Sequence, residues 1–224
     1  MRKIAIILYG PPGSGKGTQA NLLVDMLDNI VHFDTGKFIE STVHDPKQQK
    51  IATVRRERKL FDDGKLCTPS WVLRIVQRQI RELSEAGLGV VFSGSPRTMY
   101  EAEGLIPVIE KEYGKKNIFV LNLDVLAEHS LTRNSKRLVC KICRRPLLTA
   151  YYPSSNPKHC PVCGGPLYRR TLDTLSTIKV RLGEYRNRTM PIFKYWKSHG
   201  YKVNKIDGRP APFKVLEQIR KVVK

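Results

Sequence analysis

A glycine-rich loop near the N-terminus contains the residue types that bind phosphate groups. The stretch Gly10–Thr18 reads Gly-Pro-Pro-Gly-Ser-Gly-Lys-Gly-Thr and contains the pattern Gly-x4-Gly-Lys. The free backbone N–H groups of such a loop, together with the positive end of the helix that follows, attract a di- or triphosphate. Lys16 is expected to reach the outer phosphates. The alternative is a chance glycine-rich turn, which the position between an apolar run and a helical pattern disfavours.

Two pairs of cysteines form a second candidate site. Cys140-x2-Cys143 and Cys160-x2-Cys163 are separated by 16 residues. Each pair can place two thiolates on one cation, and two pairs complete a tetrahedral zinc site with no open position, which is typical of structural zinc. Two disulfides or a redox pair are the alternatives. A reducing compartment disfavours disulfides, and a redox centre needs only one pair. Cys67 belongs to neither pair and is expected to be buried as a small hydrophobic residue.

Five arginines come from separate segments of the chain. Phosphoryl transfer concentrates negative charge, so a protein that performs it must position and neutralise phosphate groups. Arg97 follows a predicted strand, and Arg133 and Arg137 are predicted to share one face of a helix at i and i+4. Arg170 follows the cysteine pairs, and Arg181 lies in the next predicted helix. Any one of them could be a solvated surface residue, but five beside a phosphate loop favour a binding site.

Predicted strands alternate with predicted helices along the chain. The strand candidates are Lys3–Tyr9, Val90–Ser93, Asn117–Leu123 and Tyr201–Ile206. The helical patterns are Gly15–Leu27, Pro69–Ala86, Tyr100–Tyr113 and Leu126–Leu138. This alternation predicts an α/β fold with a parallel sheet covered by helices on both faces. Ligands of such sheets bind at the carboxyl ends of the strands, where Gly10 and Gly94 should converge.

Length and composition indicate an ordinary globular protein. The chain has 224 residues, of which 41% are hydrophobic. No apolar run approaches the ~20 residues of a membrane helix. The apolar stretch at the N-terminus is too short for a signal peptide and runs directly into the phosphate loop. We therefore expect a cytoplasmic protein without a membrane partner.

The charge distribution is uneven. The chain has 40 Lys and Arg against 20 Asp and Glu, a formal charge of +20, and residues 129–224 hold 22 basic and 4 acidic side chains. Such a field attracts polyanions, whether nucleotides or nucleic acid. A compositional bias of solvated surfaces is the favoured explanation of the charge. A nucleic-acid partner stays possible, but no nucleic-acid-reading motif supports it.

The loop sequence resembles that of one kinase family. Its string Gly-x-Pro-Gly-x-Gly-Lys-Gly-Thr, with Gly17 in the usual hydroxyl position and the hydroxyl at Thr18, is similar to adenylate kinases and their nucleoside monophosphate kinase relatives. Pro96-Arg97-Thr98 resembles the acceptor-phosphate arginine motif of that family. The four cysteines resemble the zinc-ribbon lid of one branch, and the other four arginines match its lid-base positions.

This resemblance implies an architecture and an activity. The fold would be a P-loop NTPase-type core formed by residues 1–34, 68–138 and 171–224. Residues 35–67 would be a helical insertion that binds the nucleoside monophosphate, and residues 139–170 a zinc-binding lid. The activity would be reversible phosphoryl transfer from MgATP to a nucleoside monophosphate, in the first place AMP. The implied cofactors are Mg²⁺ with ATP and a structural Zn²⁺, and the implied state is a monomer.

The same resemblance assigns residues to the two substrates. The donor would contact Gly13, Ser14, Gly15, Lys16, Gly17, Thr18, Arg133, Arg137 and Gly208. The acceptor would contact Thr35, Glu40, Lys65, Leu66, Cys67, Gly94, Arg97, Glu101, Arg170 and Arg181. The catalytic set would be Lys16, Arg97, Arg133, Arg137, Arg170 and Arg181, and the zinc ligands Cys140, Cys143, Cys160 and Cys163.

Four positions depart from the family pattern. Glu40 replaces an arginine that grips the acceptor phosphate, and Lys37 and Ser93 replace acidic residues near the magnesium. Glu101 replaces a glutamine that reads the adenine edge. A carboxylate accepts from two adjacent donors, which guanine offers, so GMP is an alternative acceptor. A catalytically weakened nucleotide-binding relative or a nucleic-acid-associated relative would also fit these departures.

Overall fold

A five-stranded parallel sheet forms the centre of the molecule. The computed structural model describes residues 3–147, 149 and 157–223. All neighbouring strands of the sheet are parallel, and Ala5 pairs with Val90 on one side and with Ile118 on the other. In spatial order the strands are β2 (Ile30–Phe33), β3 (Gly89–Phe92), β1 (Ala5–Tyr9), β4 (Ile118–Asp124) and β8 (Val203–Asp207). The predicted α/β fold class is confirmed.

Helices cover both faces of the sheet, and the alternation of side chains along β1 separates two cores. Ala5, Ile7 and Tyr9 belong to one core, and Ile6 and Leu8 belong to the other. The first core packs against α4 (Pro69–Glu85), α5 (Met99–Tyr113) and α8 (Ile192–Ser198). The second packs against α1 (Lys16–Met26) and α9 (Pro212–Val223).

The segment between β2 and α4 is helical, in agreement with the prediction. It contains α2 (Thr35–Val43), a 3₁₀ turn at Pro46–Gln48 and α3 (Ala52–Asp62). Strand β2 itself was not predicted from the sequence. It has only four residues, its central ones are half-buried, and runs this short carry little periodicity.

The predicted helix Leu126–Leu138 is too long. The helix observed there, α6, spans Ala127–Ser135. Leu138 instead begins a strand and pairs with Leu147 across a small antiparallel sheet. Strand pairing therefore ends the helix before Arg137, and the prediction that Arg133 and Arg137 share a helical face is wrong.

The segment with the four cysteines, residues 139–170, is named the cysteine lobe and supplies most of this small sheet. The strand order is β6 (Pro146–Leu147), β5 (Leu138–Cys140) and β7 (Leu167–Tyr168). The chain continues into α7 (Leu175–Glu184), a π-helical turn at Tyr185–Thr189 and α8. Among the helices in the described part of the chain, none has the length and hydropathy required to cross a membrane.

Candidate active site

The glycine-rich loop connects the end of β1 to the start of α1. Gly10 has φ +142° and Gly13 has φ +77°, conformations that residues with a side chain rarely adopt. A Cβ atom at Gly10 would also lie 2.6 Å from the Leu123 carbonyl oxygen. The glycines therefore let the backbone turn tightly, with the N-terminus of α1 directed at the cleft.

Lys16 is half-buried at the start of α1 and is held by the loop itself. Its ammonium donates to the carbonyl oxygens of Gly10 at 2.7 Å and Pro11 at 2.9 Å. Burial lowers the pKa of Lys16 to about 7, and the positive charges of Arg97 and Arg181 contribute to this shift. A bound polyphosphate would relieve this excess of positive charge.

The predicted nucleotide-binding residues lie around one cleft of about 1440 Å³ at the carboxyl ends of the strands. The phosphate loop forms one wall, and the five arginines come from the loop after β3, the cysteine lobe and the elements around it. The predicted residues that line this cleft are Gly13, Ser14, Gly15, Lys16, Gly17, Thr18, Glu40, Lys65, Leu66, Gly94, Arg97, Arg133, Arg137, Arg170, Arg181 and Gly208.

Asp173 orients two of the five arginines. Its carboxylate is 3% exposed and accepts from Arg137 Nε at 2.8 Å and Nη2 at 2.5 Å. Arg181 lies 3.8 Å from the same carboxylate. The Arg181 Nη1 atom is buried without a hydrogen-bond partner among the described residues. Burial and the charges of Arg137 and Arg170 lower the pKa of Arg181 to about 9. The binding of an anion beside this guanidinium would therefore be favourable.

Sequence reasoning missed Asp173, although a signal was present. It is one of only four acidic residues in the basic segment 129–224, and it stands between Arg170 and Arg181. An isolated acid among arginines that must be held in place is a candidate for their counter-ion.

The other three arginines have separate partners. Arg133 donates to the carbonyl oxygens of Gly208 and Arg209, both at 2.8 Å, and so fixes the loop after β8. Arg170 pairs with Glu40 at 3.1 Å. Arg97 is held through its backbone, because its carbonyl oxygen accepts from the Thr189 hydroxyl at 2.9 Å. The π-helical turn that contains Thr189 thus positions the Arg97 loop.

A smaller slot adjoins the main cleft and contains the predicted acceptor-base residues. Thr35, Leu66, Cys67 and Glu101 line it together with apolar side chains of the helical insertion. Burial raises the pKa of the Cys67 thiol to about 12, so it is a poor nucleophile, as expected of a buried hydrophobe. The Thr35 hydroxyl is buried without a hydrogen-bond partner among the described residues.

Glu101 also has a structural role that sequence reasoning missed. Its carboxylate accepts from the Arg97 backbone N–H at 2.8 Å and from the Thr98 hydroxyl at 3.0 Å. Thr98 in turn accepts from the Glu101 N–H at 3.2 Å, an arrangement similar to a capping box at the start of α5. The carboxylate is therefore already hydrogen-bonded by the protein, which weakens the argument that it is reserved for guanine.

Ser93 is part of a buried polar chain beside the phosphate loop. The His32 ring lies 2.6 Å from the Ser93 hydroxyl through Nε2 and 2.9 Å from Asn21 Oδ1 through Nδ1. Burial lowers the pKa of His32, which keeps the ring neutral near pH 7. Ser93 and Asn21 both line the cleft.

The four cysteines of the cysteine lobe converge on one point. Their sulfur atoms all lie within 4.8 Å of one another. The Sγ atoms of Cys140 and Cys163 are 3.4 Å apart, and those of Cys143 and Cys160 are 3.7 Å apart. Tetrahedral Zn–S bonds of ~2.3 Å place sulfur atoms ~3.8 Å apart, so the geometry fits a zinc ion.

The fold and cleft together define a P-loop phosphotransferase of the kind that acts on nucleotides. Comparison with known proteins agrees. The adenylate kinase family model matches residues 8–201. The chain is 34% identical over 218 residues to an adenylate kinase of Methanothrix thermoacetophila, with 97% of each chain covered. An adenylate kinase of Methanosarcina barkeri is 32% identical over 219 residues, 98% of each chain, and one of Caldicellulosiruptor bescii is 35% identical over 195 residues, 87% of each. The chain belongs to the adenylate kinase family.

Proposed function

We propose that the protein transfers the γ-phosphoryl group of MgATP to AMP and forms two molecules of ADP. The observation that carries this proposal is the meeting of the phosphate loop and five arginines around one cleft. A triphosphate that faces the phosphate group of a monophosphate needs positive charge from several directions, and this cleft supplies it.

The donor is proposed to lie along the glycine loop. Backbone N–H groups of residues 13–18 would bind its phosphates, with Lys16 on the transferring group and Thr18 near the Mg²⁺ that accompanies ATP. When bound, Mg²⁺ supplies neutralisation of the donor phosphate charge. Arg133 and Gly208 would lie by the donor adenine, because Arg133 is tied to the 208–209 loop.

The acceptor is proposed to lie between the helical insertion and Arg97. A phosphate oxygen of AMP attacks the γ-phosphorus, the bond to the β,γ-bridging oxygen breaks, and ADP leaves with that electron pair. The acceptor oxygen is already anionic, so no general base is needed. Arg97, Arg170 and Arg181 would neutralise the charge that the two facing chains share.

The cysteine lobe is proposed to be a lid stabilised by Zn²⁺. The lid would contribute Arg170 and, with Arg137, close over the phosphates. Exclusion of water prevents hydrolysis of ATP in place of transfer. The metal would have a structural role only, because four thiolates leave no open coordination position.

The proposed setting is the cytoplasm, where thiolates stay reduced and metal-bound cysteines are favoured over disulfides. A monomer is sufficient, because every residue of the proposed site comes from one chain.

The acceptor can be tested with a panel of monophosphates. We expect MgATP and AMP to give two ADP per ATP consumed, with AMP preferred over GMP, CMP and UMP by about 10- to 100-fold in kcat/KM, because a mismatched base leaves buried polar groups unpaired. Nucleotide chromatography of each reaction, with a reaction lacking acceptor as control, measures this. A preference for GMP would overturn the assignment of AMP, and no transfer to any monophosphate would overturn the proposed activity.

A further inference from the structure

Glu40 places a negative charge in a cleft whose charged residues are mostly positive. It lies on the face of α2 that also presents Gly36 and His44 to the cleft, at i−4 and i+4. Two other acids line the same cleft, and both have local roles. Asp34 caps α2 by accepting from the Lys37 N–H, and Glu184 pairs with Arg188 one turn later.

The partner of Glu40 is an arginine of the proposed catalytic set. Glu40 Oε2 lies 3.1 Å from Arg170 Nη2, and the two residues are 130 positions apart in sequence. Their side chains are 36% and 20% exposed, so the pair is only partly screened by solvent. Glu40 belongs to the helical insertion and Arg170 to the edge of the cysteine lobe, so this ion pair spans the cleft.

The carboxylate of Glu40 thus pairs with the guanidinium of Arg170, which is also proposed to bind the acceptor phosphate. Arg181 lines the same cleft as this pair, and the charge of Arg170 contributes to the lowered pKa of Arg181. Its Nη1 atom is buried and has no hydrogen-bond partner among the described residues, although the Asp173 carboxylate lies 3.8 Å away. A phosphate that enters beside Arg181 would come close to Arg170 and would compete with the Glu40 carboxylate for the same N–H donors.

We propose that Glu40 is a displaceable counter-ion of Arg170, which holds this arginine across the cleft until an acceptor phosphate replaces the carboxylate. The inference rests on the proposed function. Glu40 therefore weakens acceptor binding, because the arriving phosphate must break an existing ion pair and lie close to a carboxylate. Binding of the donor, which lies on the glycine loop, is not weakened in this way.

The test is a kinetic comparison of Glu40→Gln with the unmodified protein. The amide keeps the shape but not the charge, so KM for AMP should fall by about three- to tenfold, the effect of removing one partly exposed counter-charge. KM for ATP should change by less than about twofold. Calorimetric titration with AMP alone checks that the effect is on binding. An unchanged or increased KM and Kd for AMP would overturn the proposal.

Two further variants separate this role from a general charge effect. Glu82→Gln removes the same charge from α4, where Glu82 pairs with Arg78 outside the cleft, and should leave KM for AMP unchanged. In an Arg170→Met background, Glu40→Gln should lose most of its effect, since the competition is gone. An equal effect in both backgrounds would overturn the role of Arg170. Absence of ADP formation by the unmodified protein would instead overturn the proposed function.

Discussion

Replacement of Lys16 with methionine is expected to lower kcat/KM for ADP formation by about 10³-fold or more. Lys16 lies at the start of α1, and its ammonium donates to the carbonyl oxygens of Gly10 and Pro11 in the phosphate loop. Hydrogen-bond donors that are already positioned where charge develops in the transition state each contribute about 10²–10³-fold to the rate. A cation that contacts a transferring phosphoryl group lies at the upper end of this range. Steady-state assays with saturating AMP measure the effect.

The stability of the Lys16→Met variant separates catalysis from folding. A pKa lowered by burial means that the folded state binds the Lys16 proton less tightly than the unfolded chain does. Below pH 7 the folded protein must therefore hold an unfavourable charge, and methionine removes that cost. We expect the variant without nucleotide to melt at the same temperature or higher. Activity within about tenfold of the unmodified protein, with an unchanged melting temperature, would contradict the role of Lys16.

Loss of metal from the cysteine lobe is expected to have the second-largest effect. A segment of about 30 residues is too short to bury a core of its own, so the lobe is expected to depend on the proposed zinc ion for folding. Replacement of Cys140 and Cys163 with serine should lower the melting temperature and reduce AMP-dependent transfer by about 100-fold, because Arg170 loses its support. Phosphate release from ATP should rise relative to ADP formation, because an open lid admits water.

Metal analysis provides the control for this experiment. Cys67→Ala changes a cysteine outside the cluster and should leave one zinc per chain, whereas the double variant should bind none. A melting temperature that does not change after complete removal of metal would contradict the structural role of zinc.

The architecture could be predicted well where apolar runs were long and motifs were local. Strand β1, the glycine loop and α1 are contiguous, so their geometry follows from neighbouring residues. The cysteine cluster was predicted for the same reason, since each Cys-x-x-Cys pair is a single turn. Strand β2 was missed because four residues give too little periodicity.

Features that depend on long-range contacts were not predicted. Helix α6 stops before Arg137 because the next residues pair with β6, which the sequence of the helix does not reveal. The ion pair of Arg137 with Asp173 and that of Arg170 with Glu40 join segments far apart in the chain. The capping role of Glu101 was predictable from the pattern Thr98-x-x-Glu101. The family resemblance instead assigned Glu101 to the base of the acceptor nucleotide.

The glycine loop and the five arginines are proposed to surround the donor and the acceptor, with the phosphates of the two substrates facing each other. A crystal structure with a bisubstrate analogue, two adenosines joined through a chain of phosphates, tests this most directly. We expect the phosphates to lie within hydrogen-bonding distance of Lys16, Arg97, Arg137, Arg170 and Arg181, with Arg133 beside the donor adenine and Glu40 displaced from Arg170. An analogue bound away from the glycine loop, or arginines other than Arg133 that stay directed only at protein groups while it is bound, would contradict this arrangement.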